Sequence, residues 1–304
     1  MQEGNYKLVY IAGYGRSGST LLDVILGMHP EIECNGELSY LFNIADDYQE
    51  RCDCGLELRE CPKWKHVFRQ LQDQGLEQGK EAERIMRSVE HVQNIWTWLF
   101  WPIVGLGRWG AYCQLMRGLF DAIYAAQNKP LLVDSSKSAY RCAGRVAGLK
   151  CVCKFQVKVI HLVRDGRAVI WSHLRRPPLN RRRAVSVRVV FGWIFGNAIA
   201  TLMGGVLLRR HEYLRVRYED LMKNTPEELD RIGRFLGLDF SNVSDQLVNN
   251  ATVETGHSTG GNRGVKGSIV RIQPDLEWQE RLPRIPRLLF WCWAWPLAWW
   301  YGYR

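Results

Sequence analysis

The stretch from Lys7 to Met28 constrains the fold more than any other part of the chain. Lys7-Leu-Val-Tyr-Ile-Ala12 is an apolar run of strand length, Gly13-Tyr-Gly-Arg-Ser-Gly-Ser-Thr20 is a glycine-rich turn, and Thr20 to Met28 reads as a helix. Strand, turn and helix in that order is the context in which a Gly-x-x-x-x-Gly loop cradles phosphate. Gly13, Gly15 and Gly18 let the backbone approach an anion closely, and the N–H groups at the helix start point at it. A nucleotide triphosphatase carries lysine and then Ser/Thr after the last glycine. This chain has Ser19 and Thr20 there, with Arg16 as the nearest cation. The anion expected is therefore shorter or less charged than ATP.

Two further segments follow the same strand-to-turn pattern. Lys158-Val-Ile-His-Leu-Val163 predicts a strand, and Arg164-Asp-Gly-Arg-Ala-Val-Ile-Trp-Ser172 a turn entering a helix. An arginine fork binds phosphate bidentately, and Ser172, two turns along that helix, lies near the same face. Asp165, after an apolar strand, also fits the magnesium carboxylate of a triphosphatase. Leu131-Leu-Val-Asp-Ser-Ser-Lys137 is a short strand followed by a lysine. Strands recurring with helices between them predict a parallel sheet covered on both faces, with the ligand at the carboxyl ends of the strands.

These segments resemble the sulfotransferases that use 3′-phosphoadenosine 5′-phosphosulfate. Residues 16–21, Arg-Ser-Gly-Ser-Thr-Leu, match that family's first motif throughout, and Arg164 and Ser172 have the spacing of the pair that holds the donor's 3′-phosphate. Tyr213 to Leu221, containing Tyr218-Glu-Asp-Leu, resembles a further family strand. Gly261-Asn262-Arg263, Asp275 and Trp278 resemble its late loop over the nucleotide, and Tyr301-Gly-Tyr303 a familiar ending. The likeness is greater to tyrosylprotein, carbohydrate and bacterial members than to cytosolic steroid and phenol enzymes, whose first motif carries lysine where Arg16 stands.

The resemblance implies one P-loop-like, three-layer α/β/α domain over residues 1–304, with a helical insertion at about 48–130. It implies a donor site of Arg16, Ser17, Gly18, Ser19, Thr20, Arg164, Ser172, Tyr218, Asn262 and Arg263. In the tyrosylprotein branch a glutamate lies eight residues after a His-Pro, and here His29-Pro30 is followed at that spacing by Glu37. Glu37 is the expected general base, which burial would tune; its other reading is a carboxylate answering a helix dipole. His29 and His257 are the alternative bases. Lys137 and Arg16 are expected to stabilise charge on the sulfuryl group and leaving oxygen. No metal is expected, because the leaving group lacks the triphosphate that magnesium bridges. The acceptor implied is a hydroxyl of a glycan, a tyrosine, a lipid or a small metabolite.

Two other classes compete: a phosphate-loop kinase lacking its lysine, and a basic binder without catalysis. Net charge is +10, from 41 basic and 31 acidic residues, which suits a polyanionic donor as well as nucleic acid or an anionic membrane. We expect no nucleic-acid partner. The densest run, Arg175-Arg-Pro-Pro-Leu-Asn-Arg-Arg-Arg183, reads first as a solvated loop and second as a recruiter of an acidic acceptor.

Nine cysteines follow a polar N-terminus with no signal-like stretch, which predicts a reducing cytoplasm. Cys34, Cys52, Cys54 and Cys61 cluster in sequence; Cys-x-Cys is tighter than a zinc knuckle, so packing or a disulfide is expected ahead of zinc. Within the insertion, Trp96, Trp98, Trp101 and Trp109 are candidate walls of the acceptor pocket, with core packing as the plainer reading. Leu288 to Tyr301, broken by Pro296, and Ile95 to Leu106 are both too short to span a bilayer. Packing is the default for the first, and peripheral contact with a membrane, aided by Arg281, Arg284 and Arg287, is its second reading. Oligomeric state is not legible in the sequence.

Overall fold

The computed structural model describes residues 6–42, 51–76, 79–94, 106–138, 140–175, 182–249, 256–260 and 275–304. Strand β1 (Lys7–Ala12) lies at the centre of a five-stranded sheet. The other strands are β2 (Ile32–Cys34), β3 (Leu131–Asp134), β4 (Val157–Val163) and β5 (Tyr213–Arg217), in the order β2-β3-β1-β4-β5. Every pairing is parallel, and Val9 sits opposite Val133 on one side and Lys158 on the other.

A central parallel strand needs apolar side chains on both faces, and β1 supplies them. Leu8, Tyr10 and Ala12 enter one core, whereas Val9 and Ile11 enter another. The second core is closed by α1 (Ser19–Gly27) and by α7 (Tyr218–Lys223), α8 (Thr225–Leu236) and α9 (Ser241–Val248), through Leu22, Leu26, Leu221 and Ile232. The first core is closed by α2 (Pro62–Asp73), α3 (Gly79–Glu90) and α4 (Leu106–Gln127), through Trp64, Val67, Met86 and Leu119. The expected insertion therefore forms a whole layer of the α/β/α stack. Trp109 is buried in that core, so it packs and does not wall a pocket. Trp96, Trp98 and Trp101 lie outside the described residues.

A third cluster joins α5 (Gly166–Leu174), α6 (Arg182–Val206), α10 (Glu277–Arg281) and α11 (Arg284–Trp300). Helix α11 runs straight through Pro296, where the sequence suggested a break. A proline removes one helical hydrogen bond, and burial of Ala294 and Ala298 against the domain on either side holds the helix together. The sequence reading passed over α6: its 23 residues Ala184–Val206 are long and apolar enough to cross a bilayer, and 44% of its most apolar window is buried. Polar contacts tie this helix to the sheet, since the Asn197 side chain, fully buried, lies 3.0 Å from His161 Nε2. Burial pushes the His161 pKa down to about 4, so its ring is neutral and accepts from Tyr213 at Nδ1.

Candidate active site

All five strands end on the same side, and the residue types singled out in the sequence cluster there. Glu37 follows β2, Lys137 follows β3, residues 13–20 follow β1, Arg164 follows β4 and Tyr218 follows β5. The chain leaves β1 toward β2 on one side of the sheet and later fills β4 and β5 on the other. Such a reversal of strand order opens a crevice at the carboxyl ends.

The loop after β1 is built as an anion cradle. Gly18 caps α1 at φ +94°, a left-handed conformation that leaves the first N–H groups of the helix pointing outward. No side chain caps this end and no acidic residue lies in its first turn. A Cβ on Gly18 would stand 2.5 Å from the Tyr218 ring. Gly13, at φ +120°, lies so close to the Leu162 carbonyl that a side chain has no room. Ser17 is 1% exposed, and its Oγ has no partner among the described residues. A buried hydroxyl without a partner costs stability, so it marks a place where a ligand oxygen completes the bonding.

Arg164 closes the cradle from β4. Its guanidinium donates to the Arg16 carbonyl at 3.2 Å and to Asp275 at 3.0 Å, and lies 4.4 Å from the centre of the Tyr218 ring. Its Nε is buried with no partner among the described residues, a second donor left over for a ligand. Burial raises the Tyr218 pKa, keeping the ring neutral under the cation. Ser172 is buried in α5, two turns after Arg164. Asp165 is not free to hold magnesium: it caps α5 by accepting from Arg167 N at 2.8 Å and is ion-paired with the Arg167 side chain.

Glu37 and Lys137 meet. The Lys137 ammonium donates to the Glu37 carboxylate, and both side chains are largely covered. The helix-dipole reading of Glu37 fails here, because its side chain turns to Lys137 and makes no capping bond. Lys137 itself adopts φ +70°, held by Tyr10 Oη donating to its carbonyl and by its own N–H donating to Ile11 O at 3.2 Å. Ser138 reinforces the link: its N–H donates to Gly13 O at 2.9 Å, and its Oγ accepts from Gly13 N at 3.3 Å. The loops after β1 and β3 are thus one unit.

His29 is structural: it is buried against Phe240 and accepts from Glu31 N. His257 lies beside Cys52 and Cys61 rather than beside Glu37. Cys34 does not join those cysteines, since its thiol donates to the Asp23 carbonyl. All nine cysteines are described and none forms a disulfide, which corrects that part of the expectation. Asn262 and Arg263 lie outside the described residues. Of the basic run, Arg175 pairs with Asp275 and Glu277.

A family model for the sulfotransferase family matches residues 9–242, which spans every one of these strand ends. The chain belongs to the sulfotransferase family. Solved structures agree on the fold. The sulfotransferase domain of the Synechococcus PCC 7002 olefin synthase superposes with a TM-score of 0.55 at 21% identity, covering 98% of both chains. The sulfotransferase domain of the curacin biosynthetic pathway gives 0.52 at 19% identity, again covering 98% of both. No curated protein sequence matches significantly.

Several supports of the sulfotransferase site carried no readable sequence signal. Glu219 accepts from Asp165 N at 3.0 Å and from Tyr303 Oη at 2.8 Å, so the chain's end braces the turn beside Arg164. Arg145, fully buried, bonds both Asp134 at 2.6 Å and Glu90, and so anchors the loop that carries Lys137. Apart from Asp134, 11 positions from Arg145, their partners lie more than 50 residues away, and only the Tyr-Glu-Asp-Leu likeness pointed toward Glu219.

Proposed function

We propose that this sulfotransferase moves a sulfuryl group from 3′-phosphoadenosine 5′-phosphosulfate to a hydroxyl of a small-molecule or glycan acceptor. The observation that carries the donor assignment is two buried donors at the strand ends that have no partner among the described residues, Ser17 Oγ and Arg164 Nε, the Arg164 guanidinium lying over the Tyr218 ring. The residues fit an anion at both places: the N-terminus of α1 with Ser17, Ser19 and Thr20 at one, Arg164 with Ser172 at the other. When bound, the donor supplies the sulfuryl group and departs as 3′-phosphoadenosine 5′-phosphate. Arg16 and Lys137 hold the charge that grows on the leaving oxygen. Glu37 takes the acceptor proton. In the structure Lys137 neutralises Glu37; an acceptor hydroxyl that replaces Lys137 as partner of the carboxylate frees the ammonium for the leaving group.

A kinase reading lacks support, because Ser19 stands in place of the lysine and Asp165 is engaged. The deciding experiment is calorimetric titration with 3′-phosphoadenosine 5′-phosphate beside ADP and Mg-ATP. Charge-assisted hydrogen bonds contribute about 1.5–3 kcal/mol, so Arg164→Ala should weaken binding roughly 10- to 150-fold while ADP, lacking the 3′-phosphate, binds poorly. A preference for Mg-ATP refutes the assignment.

We further propose that the enzyme works in the cytoplasm, at an anionic lipid surface. The nine unpaired cysteines support a reducing compartment. The outer face of α11 exposes Trp293, Trp295, Trp299 and Trp300, with exposed Arg281 and Arg284 at its start, and tryptophan beside arginine suits a lipid interface. Co-sedimentation with phosphatidylserine vesicles, lost in Trp299→Ser/Trp300→Ser, is the expected result. No sedimentation, or a stable dimer covering that face, overturns it.

A further inference from the structure

The strongest unexplained cluster lies outside the strand-end crevice. Cys52, Cys54, Cys61 and His257 direct three sulfurs and one imidazole nitrogen to a common point, with all four ligand atoms within 4.8 Å of one another. Cys61 Sγ is 3.2 Å from His257 Nδ1 and Cys52 Sγ is 3.9 Å from it. A tetrahedral zinc with Zn–S of about 2.3 Å and Zn–N of about 2.0 Å requires ligand-to-ligand edges of about 3.5–3.8 Å. The measured separations bracket those edges.

Neither packing nor a disulfide accounts for this arrangement. A disulfide uses two sulfurs, and packing gives no reason for Cys54, which is exposed, to turn toward the same point as buried Cys52 and Cys61. The backbone is shaped for convergence. Gly55, at φ +88°, turns the chain back after Cys54; its N–H donates to Cys52 O at 2.9 Å, while Cys52 N donates to Leu56 O at 2.8 Å. Cys61 stands at the N-terminus of α2, with its Sγ 3.2 Å from His257 Nδ1. His257 is fixed from α2 as well, since the buried Lys63 ammonium donates to its carbonyl at 3.2 Å and to Asn35 Oδ1 at 2.9 Å.

We propose that these four residues bind one zinc ion in a closed, structural site. Three thiolates and one imidazole fill a tetrahedron, and soft sulfur ligands select zinc over magnesium or calcium. The ion ties the loop of residues 52–61 to residue 257, nearly 200 positions later. Two residues on, Thr259 pairs with Gly36 as a parallel bridge, accepts from Glu37 N at 2.9 Å and donates to Asn35 O at 3.0 Å. The zinc therefore clamps the strip of chain that backs Glu37 and leads into Gly261-Asn262-Arg263. This tetrahedron departs from the expectation of packing or a disulfide because its fourth ligand, His257, cannot be assigned by spacing.

The test is metal analysis of the full chain purified without chelator, followed by zinc competition. One zinc per chain is expected. Cys54→Ser, chosen because its exposure spares the core, should retain zinc at least about 10- to 100-fold more weakly, the loss that even a residue behind a metal ligand causes. Cys292→Ser, an exposed cysteine outside the cluster, should retain it fully. Cobalt loading should give the ligand-field spectrum of a tetrahedral thiolate site. A folded chain that holds no zinc and takes up neither zinc nor cobalt overturns the proposal. So does a Cys54→Ser variant with wild-type zinc affinity, a Cys52–Cys61 disulfide in protein kept under reducing conditions, or the visible absorption of an iron–sulfur cluster. Binding of 3′-phosphoadenosine 5′-phosphate is measured separately, so failure here leaves the donor site untouched.

Discussion

Replacing Arg145 with methionine isolates the buried ion triad beneath the Lys137 loop. Arg145 is fully buried and is shared between Glu90 and Asp134, with Tyr112 Oη adding a 2.9 Å bond to Glu90. Burial already pushes the Glu90 pKa up to about 7 against the pull of Arg145. Methionine has nearly the right volume but leaves two carboxylates in the core with no cation. Breaking a buried pair from one side costs about 3–5 kcal/mol, and at roughly 2–4 °C per kcal/mol for a large domain the midpoint should fall by about 6–20 °C. The sign with pH follows from linkage. Carboxylates whose folded pKa is raised bind protons in the native state that the unfolded chain has released, so stability falls as pH rises from about 4 through 7. The Arg145→Met deficit should thus be larger at pH 8 than at pH 5. Adding Glu90→Gln, which removes one stranded charge, should recover part of it. Thermal unfolding at both pH values, followed by circular dichroism, reads both variants against the wild type. An Arg145→Met midpoint equal to wild type at pH 8 would refute the claim that the triad anchors this loop.

Gly18→Ala places a Cβ against the Tyr218 ring and forces a side chain into φ +94°. Strain of about 1–3 kcal/mol should weaken 3′-phosphoadenosine 5′-phosphate binding roughly 5- to 150-fold by calorimetry, and unchanged affinity would show that the cradle is not used. Asp23, buried in α1 with Oδ1 unpartnered among the described residues, has its pKa raised to about 7, chiefly by burial. Its penalty is absent below about pH 4 and complete above 7, so Asp23→Asn should stabilise the protein at pH 8 by as much as about 4 kcal/mol, the worth of three pKa units, and do little at pH 4. Urea unfolding showing equal effects at both pH values would remove burial as the cause.

Much of the site was legible because its residues are consecutive. The β1 strand, the glycine turn and α1 lie within 22 residues, and the identity of Ser19 alone separated this chain from a lysine-bearing triphosphate loop. Arg164 stands between β4 and α5 and Ser172 lies within α5, so their short, fixed spacing carried their relation. Glu37 and Lys137 were found separately by likeness, and only the neighbouring strand ends show that they form an ion pair. For Trp109 the plainer reading of the insertion's tryptophans, core packing, is the one the structure bears out, although aromatic residues at helical spacing signal a buried face without saying what they bury against. Trp109 buries in the core between the sheet and the helical layer that covers it.

Local pattern, set by backbone sterics and by the period of apolar side chains, determined the strands, the anion loop and the α/β class of this chain. What joins residues far apart was decided by the tertiary structure. Parallel strands bring their carboxyl ends together whatever length of chain separates them, and that geometry makes neighbours of Lys137 and Glu37 and brings Asp275 to Arg164 and Tyr303 to Glu219, while packing of the helical layer beside the sheet brings Cys61 to His257. None of these pairs has a spacing that sequence periodicity can register, because the distance between them is set by sheet order and not by the number of residues.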